Sequence, residues 1–264
     1  MLEDESREIE STRKRWDEHA KRYDEWYETF EGAAEHHVDW ELLKGYLPQN
    51  RAAKILDAAG GTGRITLPLA KMGYSVTLCD ISPEMLNVAR QKLLRERVID
   101  KVKILECDVR KLRFADDSFD FVLCWDGMIE AAKELVRVTK KGGKISMFLM
   151  NKCGAAISKF REDPDSALAL LRSKSNYFYD DEEKYIAVSV EEARELFEKE
   201  GIKVIEIYAV CGILKLLSIP EEVRKSRNWD DSFFRQTTEM LLRLSKEPSA
   251  KGLSRHLALY GERI

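Results

Sequence analysis

The chain has 264 residues, of which 44% are hydrophobic, and its 44 Lys and Arg residues against 47 Asp and Glu residues give a net charge of −3 at pH 7. This length suits one large α/β domain with insertions, or two small domains. A charge balance so close to neutral argues against a protein that binds nucleic acid by bulk electrostatics. No stretch approaches 18 consecutive apolar residues, which argues against a transmembrane helix.

The N-terminal residues and the cysteines favour a cytoplasmic protein. The chain begins with Met1-Leu2-Glu3-Asp4-Glu5, whereas a signal peptide begins with a basic and then an apolar segment. The five cysteines form no C-x-x-C pair and no cluster with histidine. We therefore expect no metal site, and we interpret the cysteines as small buried residues in a reducing compartment.

Charge is plentiful and unevenly distributed. Charged residues make up 34% of the chain, with Lys and Glu prominent, which is typical of heat-adapted proteins. Residues 1–40 hold 6 basic and 13 acidic groups, and residues 213–264 hold 10 basic and 7 acidic groups. The cationic C-terminal segment favours an anionic substrate or, equally well, an ordinary solvated surface.

The first 50 residues predict helices rich in Trp and Tyr, and we expect them to form a separate unit that packs over the open edge of a ligand cleft. From residue 51 onward, strand and helix patterns alternate, which predicts an α/β fold with a mostly parallel sheet. The predicted strands lie at about 54–59, 75–80, 102–108, 120–125, 144–150, 202–209 and 256–260. The predicted helices lie at about 63–72, 83–97, 129–140 and 190–200.

Two insertions interrupt this alternation. Residues 152–187 are predicted to be irregular, with a short helix near 164–173, and a second insertion covers about 212–253. We assign residues 51–264 to one cofactor-binding domain, in which these two insertions form a cap over the substrate.

A glycine loop follows the first predicted strand. In Asp57-Ala58-Ala59-Gly60-Gly61-Thr62-Gly63, three glycines within four positions allow close approach of a ligand to the backbone. Asp80 ends the next strand, 19 residues after Gly61, where an acid can bind a ribose diol. This pattern indicates a cofactor that contains a nucleoside.

The residues that follow the glycine loop distinguish between classes of nucleoside cofactor. A phosphate-binding P-loop requires Gly-Lys-Ser/Thr, but Gly63 is followed by Arg64 and Ile65. The dinucleotide fingerprint G-x-G-x-x-G fails in both frames, because Thr66 or Thr62 occupies a glycine position. S-adenosylmethionine (SAM), which has no phosphate, remains.

Several motifs resemble those of class I SAM-dependent methyltransferases, in particular the type 11-like group. The glycine loop and Asp80 resemble the first two motifs, and Cys107-Asp108-Val109 resembles the third-strand motif. The segment 118–124 resembles the fourth-strand motif, and 137–144, with its Gly-Gly turn, resembles the fifth. The resemblance implies a Rossmann-like fold with a seven-stranded, mostly parallel sheet, helices on both faces and α-helical cap insertions. One departure is Ala59, where the family usually has glycine, which we interpret as a mild change.

The resemblance also implies roles for individual residues. Asp80 binds the ribose hydroxyls, Asp108 accepts a hydrogen bond from the adenine amino group, and Ile81 and Val109 flank the adenine. The implied contacts to the rest of the cofactor involve Asp57, Ala59, Gly61, Gly63 and Cys124. Tyr23 and Tyr27 resemble an N-terminal tyrosine motif that closes over SAM in many relatives, although an ordinary helix-packing stripe explains them equally well.

The methyl acceptor is less defined. Candidate pocket residues, each of which has an ordinary structural explanation, are His36, His37, Trp125, Asp126, Arg235, Arg255, His256 and Tyr260. We favour a small-molecule acceptor. A faint similarity near the C-terminus to the bacterial tRNA methyltransferase that esterifies 5-carboxymethoxyuridine keeps tRNA as an alternative. A nicotinamide-dependent oxidoreductase and a SAM-binding protein without transferase activity are further alternatives, and the oligomeric state is left open.

Overall fold

The structure is a computed structural model that describes residues 2–125, 129–173, 177–180 and 183–264. Its strands are β1 Lys54–Ala58, β2 Ser75–Asp80, β3 Val102–Glu106, β4 Phe119–Cys124, β5 Thr139–Asn151, β6 Tyr177–Asp180, β7 Glu183–Val188, β8 Ile202–Val210 and β9 His256–Arg263. Its helices are α1 Leu2–Tyr23, α2 Phe30–Lys44, α3 Thr66–Lys71, α4 Pro83–Arg95, α5 Ala132–Val138, α6 Lys152–Phe160, α7 Pro164–Arg172, α8 Val190–Lys199, α9 Glu221–Arg224, α10 Asp231–Leu244 and α11 Pro248–Leu253. Short 3-10 turns span Asp24–Glu28, Ile99–Lys101, Ile129–Ala131 and Ile213–Leu217.

The sheet has nine strands, two more than the predicted seven; the seven that correspond to the prediction lie in the order β3-β2-β1-β4-β5-β9-β8. The first five of these strands are mutually parallel, and β9 is antiparallel to both of its neighbours. The predicted α/β architecture with a mostly parallel sheet is therefore confirmed. Among the described helices, none is long and apolar enough to cross a membrane.

The sheet has a hydrophobic core on each face because alternate strand residues point in opposite directions. In β1, Leu56 belongs to one core, together with Leu135 of α5 and Phe197 of α8. The neighbouring residue Ile55 belongs to the core on the opposite face, together with Leu43 of α2. Both faces are thus covered by helices, as a parallel sheet requires.

Local sequence signals position the helices. Ser82 accepts a hydrogen bond from the Met85 N–H at the start of α4, where Pro83 occupies the first helical position. A capping box formed by Ser189 and Glu192 begins α8. The predicted Gly142-Gly143 turn lies inside β5, as an irregularity in its pairing with β4.

The segment 152–187 is more regular than we expected. It contains α6, α7 and a β6–β7 hairpin, and two residue pairs join β7 to the end of β5, Met150 with Ala187 and Asn151 with Val188. The short helix that we predicted near 164–173 is confirmed as α7, Pro164–Arg172, but the prediction that the rest of this segment is irregular was wrong. Because β7 pairs with a part of β5 that extends beyond β4, the hairpin lies at the carboxyl edge of the sheet.

Candidate functional site

The glycine loop connects β1 to α3 through a strained turn. Ala59 and Gly61 both have φ of 53°, and Gly63 has φ of 72°. Gly60 has no room for a side chain, because a Cβ there would lie 2.4 Å from Cδ1 of Leu78 and 2.7 Å from Cγ of Asp57. Because its φ is positive, Ala59 occupies a left-handed conformation that glycine adopts readily and alanine does not. Our interpretation of Ala59 as a mild change was wrong for the backbone.

Asp80 connects the glycine loop to the start of α4. Its Oδ2 accepts a hydrogen bond from the Gly61 N–H over 2.9 Å, and its Oδ1 accepts one from the Ser82 N–H, also over 2.9 Å. Burial raises the pKa of Asp80 above its usual value, although these backbone donors lower it in part. Because a carboxylate can accept about four hydrogen bonds, Asp80 keeps acceptor capacity for a ligand.

A second buried carboxylate lies beneath the loop. Asp57 is 3% exposed, and its Oδ2 accepts a hydrogen bond from the Thr66 hydroxyl over 2.6 Å. Burial raises the pKa of Asp57 to about 6, whereas the hydrogen bond from Thr66 and the charge of Arg64 lower it. Asp57 is therefore mostly ionised at neutral pH, where it favours a cationic group.

These acids line an open cleft at the carboxyl ends of β1, β2 and β4, whose space of about 970 Å³ includes the solvent at its mouth. Ligands bind at this edge in open α/β sheets. The lining residues are Thr12, Trp16, Tyr23, Asp57, Ala59, Gly60, Gly61, Arg64, Ile65, Asp80, Ile81, Met85, Cys107, Asp108, Val109, Arg110 and Trp125.

Asp108 lines the cleft and is paired with Arg110. The Arg110 Nη2 lies 2.9 Å from Oδ2 of Asp108, and Nε and the backbone N–H of Arg110 donate to the same carboxylate. Burial alone would raise the pKa of Asp108, but the hydrogen bonds from Arg110 outweigh it and hold the pKa below its usual value. The ion pair with Arg110 therefore favours the ionised form of Asp108.

The N-terminal helix α1 covers the cleft, to which it contributes Trp16 and Tyr23. Oδ1 of Asp17 in α1 accepts a hydrogen bond from the Ser82 hydroxyl over 2.6 Å. Just after α1, Oδ1 of Asp24 accepts a hydrogen bond from the Thr62 hydroxyl over 2.7 Å, and its Oδ2 pairs with Nζ of Lys92 over 2.7 Å. Hydrogen bonds and one ion pair thus attach α1 and the turn after it to both α4 and the glycine loop.

The structure brings most of the predicted cofactor residues together. The predicted residues in the cleft lining are Tyr23, Asp57, Ala59, Gly61, Asp80, Ile81, Asp108, Val109 and Trp125. Those outside the lining are Gly63, Cys124, Tyr27, His36, His37, Arg235, Arg255, His256 and Tyr260. Asp126 lies outside the described residues.

The predicted substrate residues outside the lining have identifiable packing partners. His37 packs edge-on against Phe234 of α10, and His256 lies inside the sheet, paired with Met150 on one side and Val210 on the other. The backbone of Arg255 bridges Asn151 and Cys211. These positions do not support our expectation that these three residues contact the acceptor.

Sequence reasoning missed several residues of the cleft. Arg64 and Arg110 each directly follow a segment that we had assigned to the cofactor, and their adjacency was the available signal. Trp16 and Thr12 carried only the helical pattern of α1, which gives no information about the surface that the helix covers.

The cleft has the features that SAM requires. The glycine loop lets the backbone approach a ligand closely, and the carboxylates of Asp80 and Asp108 line the cleft. The apolar residues Ile81 and Val109, which directly follow these two acids in the sequence, line it as well. A dinucleotide fits less well, because Thr66 stands where its fingerprint has glycine and donates to Asp57 through a hydroxyl that glycine lacks.

Comparison with known proteins agrees with this geometry. Residues 55–143 match the family described as a methyltransferase domain. The ubiquinone/menaquinone biosynthesis C-methyltransferase UbiE of Azotobacter vinelandii is 32% identical over 150 residues, which are 53% of this chain and 59% of that protein. The chain spans 36–59% of the length of the curated relatives that it matches.

Solved structures show the same fold over most of the chain. A Haloferax volcanii methyltransferase, crystallised with a methyltransferase activator, has a TM-score of 0.61 and 19% identity, covering 94% of this chain and 96% of that one. Geranyl diphosphate C-methyltransferase from Streptomyces coelicolor has a TM-score of 0.56 and 13% identity, covering 86% and 79%, and was crystallised with S-adenosylhomocysteine. The predicted resemblance to class I SAM-dependent methyltransferases and the predicted Rossmann-like fold are confirmed, and SAM is supported as the cofactor.

Proposed function

We propose that this chain transfers a methyl group from SAM to a small-molecule acceptor. The observation that carries the proposal is the position of Asp80, whose carboxylate joins Gly61 of the glycine loop to Ser82 at the base of the cleft. The methyltransferase-domain match over residues 55–143 supports it independently.

Each part of the cleft has a task in this proposal. SAM, when bound, supplies a methyl group on a positively charged sulfur, which a nucleophile attacks in line. Asp80 accepts from the ribose hydroxyls, and Asp108, kept ionised by Arg110, accepts from the adenine amino group. Trp16 and Tyr23 exclude water from above.

Trp125 is the residue that we assign to the acceptor side. It lies at the end of β4, where its indole N–H donates to the Ser146 hydroxyl over 2.9 Å and its ring stacks on Phe148 at 4.4 Å. A flat surface held this rigidly suits a planar or apolar acceptor. Because α6 and α7 follow the carboxyl end of β5, we assign the segments 152–187 and 212–253 to the cap around this acceptor.

A small molecule is favoured over tRNA as the acceptor. The curated relatives include enzymes named for ubiquinone and menaquinone biosynthesis. In segment 213–264, which is described throughout, six of the ten basic residues form ion pairs with carboxylates, which offsets much of the positive charge that an RNA surface would use. These six are Arg224, Lys225, Arg227, Arg243, Lys251 and Arg263.

The test is incubation of the purified protein with methyl-labelled SAM and a cell extract, followed by separation into small-molecule, RNA and protein fractions. We expect label in the small-molecule fraction and none with D80N. Label in RNA would favour the tRNA alternative. No transfer to any fraction, with SAM binding intact, would favour a binding protein without transferase activity.

A further inference from the structure

We propose that Ser146 and Tyr260 are positioning residues for the methyl acceptor, on which they act by fixing the ring of Trp125 in the wall of the cleft. This inference rests on the proposed function, in which Trp125 lies on the acceptor side. It adds that the ring turns its polar edge away from the cleft, so the site prefers an aromatic or aliphatic part of the acceptor at this point.

The Trp125 ring is held at two points by strand β5. It stacks on Phe148 with the ring centres 4.4 Å apart and an angle of 17° between the planes, and its indole N–H donates to the Ser146 hydroxyl over 2.9 Å. Ser146 and Phe148 are two residues apart on β5 and therefore lie on the same face of the sheet. Stacking alone lets a ring turn in its own plane, whereas the hydrogen bond selects one orientation. Ser146 therefore decides which edge of the indole faces the cleft.

The polar edge of Trp125 points into the protein. Ser146 is 0% exposed, whereas Trp125 lines the cleft. An indole has one hydrogen-bond donor and no acceptor, and the bond to Ser146 uses that donor. Trp125 therefore presents only ring carbon atoms to the cleft, and these pack best against aromatic or aliphatic groups. A polar group of an acceptor at this point would lose its hydration without gaining a partner from Trp125.

Tyr260 lies beside Ser146 on the neighbouring strand. The two residues pair directly across β5 and β9, so their side chains share one face of the sheet. The Tyr260 ring stacks on Tyr46 with the ring centres 4.0 Å apart. Burial and the charge of Asp39 raise the pKa of Tyr260 well above its usual value, and a weak hydrogen bond with Ser146 lowers it in part. Among the described residues none makes a hydrogen bond of good geometry to the Tyr260 hydroxyl, so we expect Tyr260 to contribute less than Ser146.

Ser146 and Tyr260 influence the acceptor only through Trp125. The core that contains Trp125, Phe148 and Tyr260 is mainly apolar, and a buried hydroxyl such as that of Ser146 is unfavourable there unless it forms a hydrogen bond. The indole N–H supplies this bond, so the serine and the orientation of the ring depend on each other. Neither Ser146 nor Tyr260 belongs to the lining of the cleft, so neither contacts the cofactor or the acceptor directly.

The test measures methyl transfer from labelled SAM, at saturating concentration, to increasing amounts of the small-molecule fraction of a cell extract. We expect S146A to need about 5- to 10-fold more of this fraction than the wild type for half-maximal rate, and Y260F about 2-fold more. The affinity for SAM, by isothermal titration calorimetry, should stay within about 2-fold of the wild type in both variants.

The matched control is Y208F, which removes the hydroxyl that bonds to Tyr46 over 2.8 Å in the same aromatic cluster. We expect Y208F to need the wild-type amount of the small-molecule fraction. Tryptophan fluorescence gives a second readout, because S146A should shift the emission of the wild type but not that of W125F. This difference would show that the effect of Ser146 passes through the Trp125 ring.

An unchanged requirement for the small-molecule fraction in S146A would overturn the inference. An equal loss of SAM affinity would do so as well, because Ser146 would then have only a structural role. If S146A does not fold, Y260F and Y208F give the same comparison, and equal behaviour of these two variants would count against the inference. No transfer by the wild type would instead overturn the proposed function, and this inference with it.

Discussion

Asp24 and Thr62 are separated by 38 residues in the sequence, yet Oδ1 of Asp24 lies 2.7 Å from the Thr62 hydroxyl, which donates to it. This hydrogen bond joins the turn after α1 to the loop that lies against the cofactor. Lys92 of α4 pairs with the other Asp24 oxygen, so one carboxylate holds three elements together. We therefore expect this contact to oppose any opening of α1 that cofactor exchange requires.

Substitution D24N should weaken the attachment of α1 over the cleft. The amide keeps the shape of the side chain but loses the charge that pairs with Lys92, which is only 18% exposed. We expect S-adenosylhomocysteine to dissociate faster and to bind about 3- to 10-fold more weakly, as measured by stopped-flow fluorescence and calorimetry. The control is E25Q in the same turn, where the exposed Glu25 approaches Arg227 only at 3.8 Å. Equal effects of D24N and E25Q would show that Asp24 has no special role.

Substitution A59G should stabilise the protein by about 1 kcal/mol. Ala59 has φ of 53°, and the left-handed conformation costs alanine more than the added flexibility of glycine costs in the unfolded chain. Thermal unfolding measures the difference. The matched control A58G, in the buried strand β1, should be destabilised instead. A loss of stability in A59G as large as in A58G would contradict the strain at Ala59.

Substitution G60A should be far more damaging. Its Cβ would approach Leu78 Cδ1 to 2.4 Å and Asp57 Cγ to 2.7 Å. We expect a loss of about 3 kcal/mol in unfolding free energy, together with loss of SAM binding, by denaturant titration and calorimetry. G252A, at a glycine of helix α11 with no atom within 4 Å of its added Cβ, serves as the control and should keep or slightly raise the unfolding free energy. If G60A kept the wild-type unfolding free energy and SAM binding, the glycine loop would have to rearrange to make room for the added Cβ.

Substitution E35Q should remove a pH dependence of stability. Burial raises the pKa of Glu35 from 4.5 to about 7, although the Gly212 N–H lowers it in part. The folded state thus holds a proton that the unfolded state releases above pH 4.5. The stability from this group is present below pH 4.5 and is lost as the pH rises to about 7.

Across that window the wild type should lose about 3 kcal/mol relative to E35Q, in urea titrations at several pH values. The opposite contribution of His36, whose pKa is lowered to about 4, is common to both proteins and cancels. Parallel stability curves for the two proteins would show that Glu35 titrates normally.

The parts of the fold that the sequence predicted are those with local causes. The Ser82-Pro83 start of α4 is a short-range signal, and the structure has it where we expected it. The pairing of β7 with β5 joins Val188 to Asn151, which lie far apart in the sequence and leave no local pattern. Long-range pairing of this kind cannot be inferred from one sequence.

The same distinction between local and long-range causes applies to the functional site. Asp80 could be located because it ends a strand at a fixed distance from the glycine loop. Tyr27 resembled a cofactor residue, but its ring lies over the Arg64 guanidinium and outside the lining of the cleft. Which side chain of a helix reaches the cleft depends on how the helix packs, and α1 and α2 are fixed by distant contacts such as that between Asp24 and Thr62.

Calorimetry with SAM and with NAD, on the wild type and D80N, tests most directly whether the cleft binds SAM through Asp80. We expect the wild type to bind SAM at one site per chain and not to bind NAD. D80N should bind SAM at least about 10-fold more weakly, because its amide nitrogen would face the N–H groups of Gly61 or Ser82. The control is D120N, which changes a residue near the amino end of β4, away from the cleft, and this variant should bind SAM normally. Tight binding of NAD, or no binding of SAM, would show that the cleft is not a SAM site.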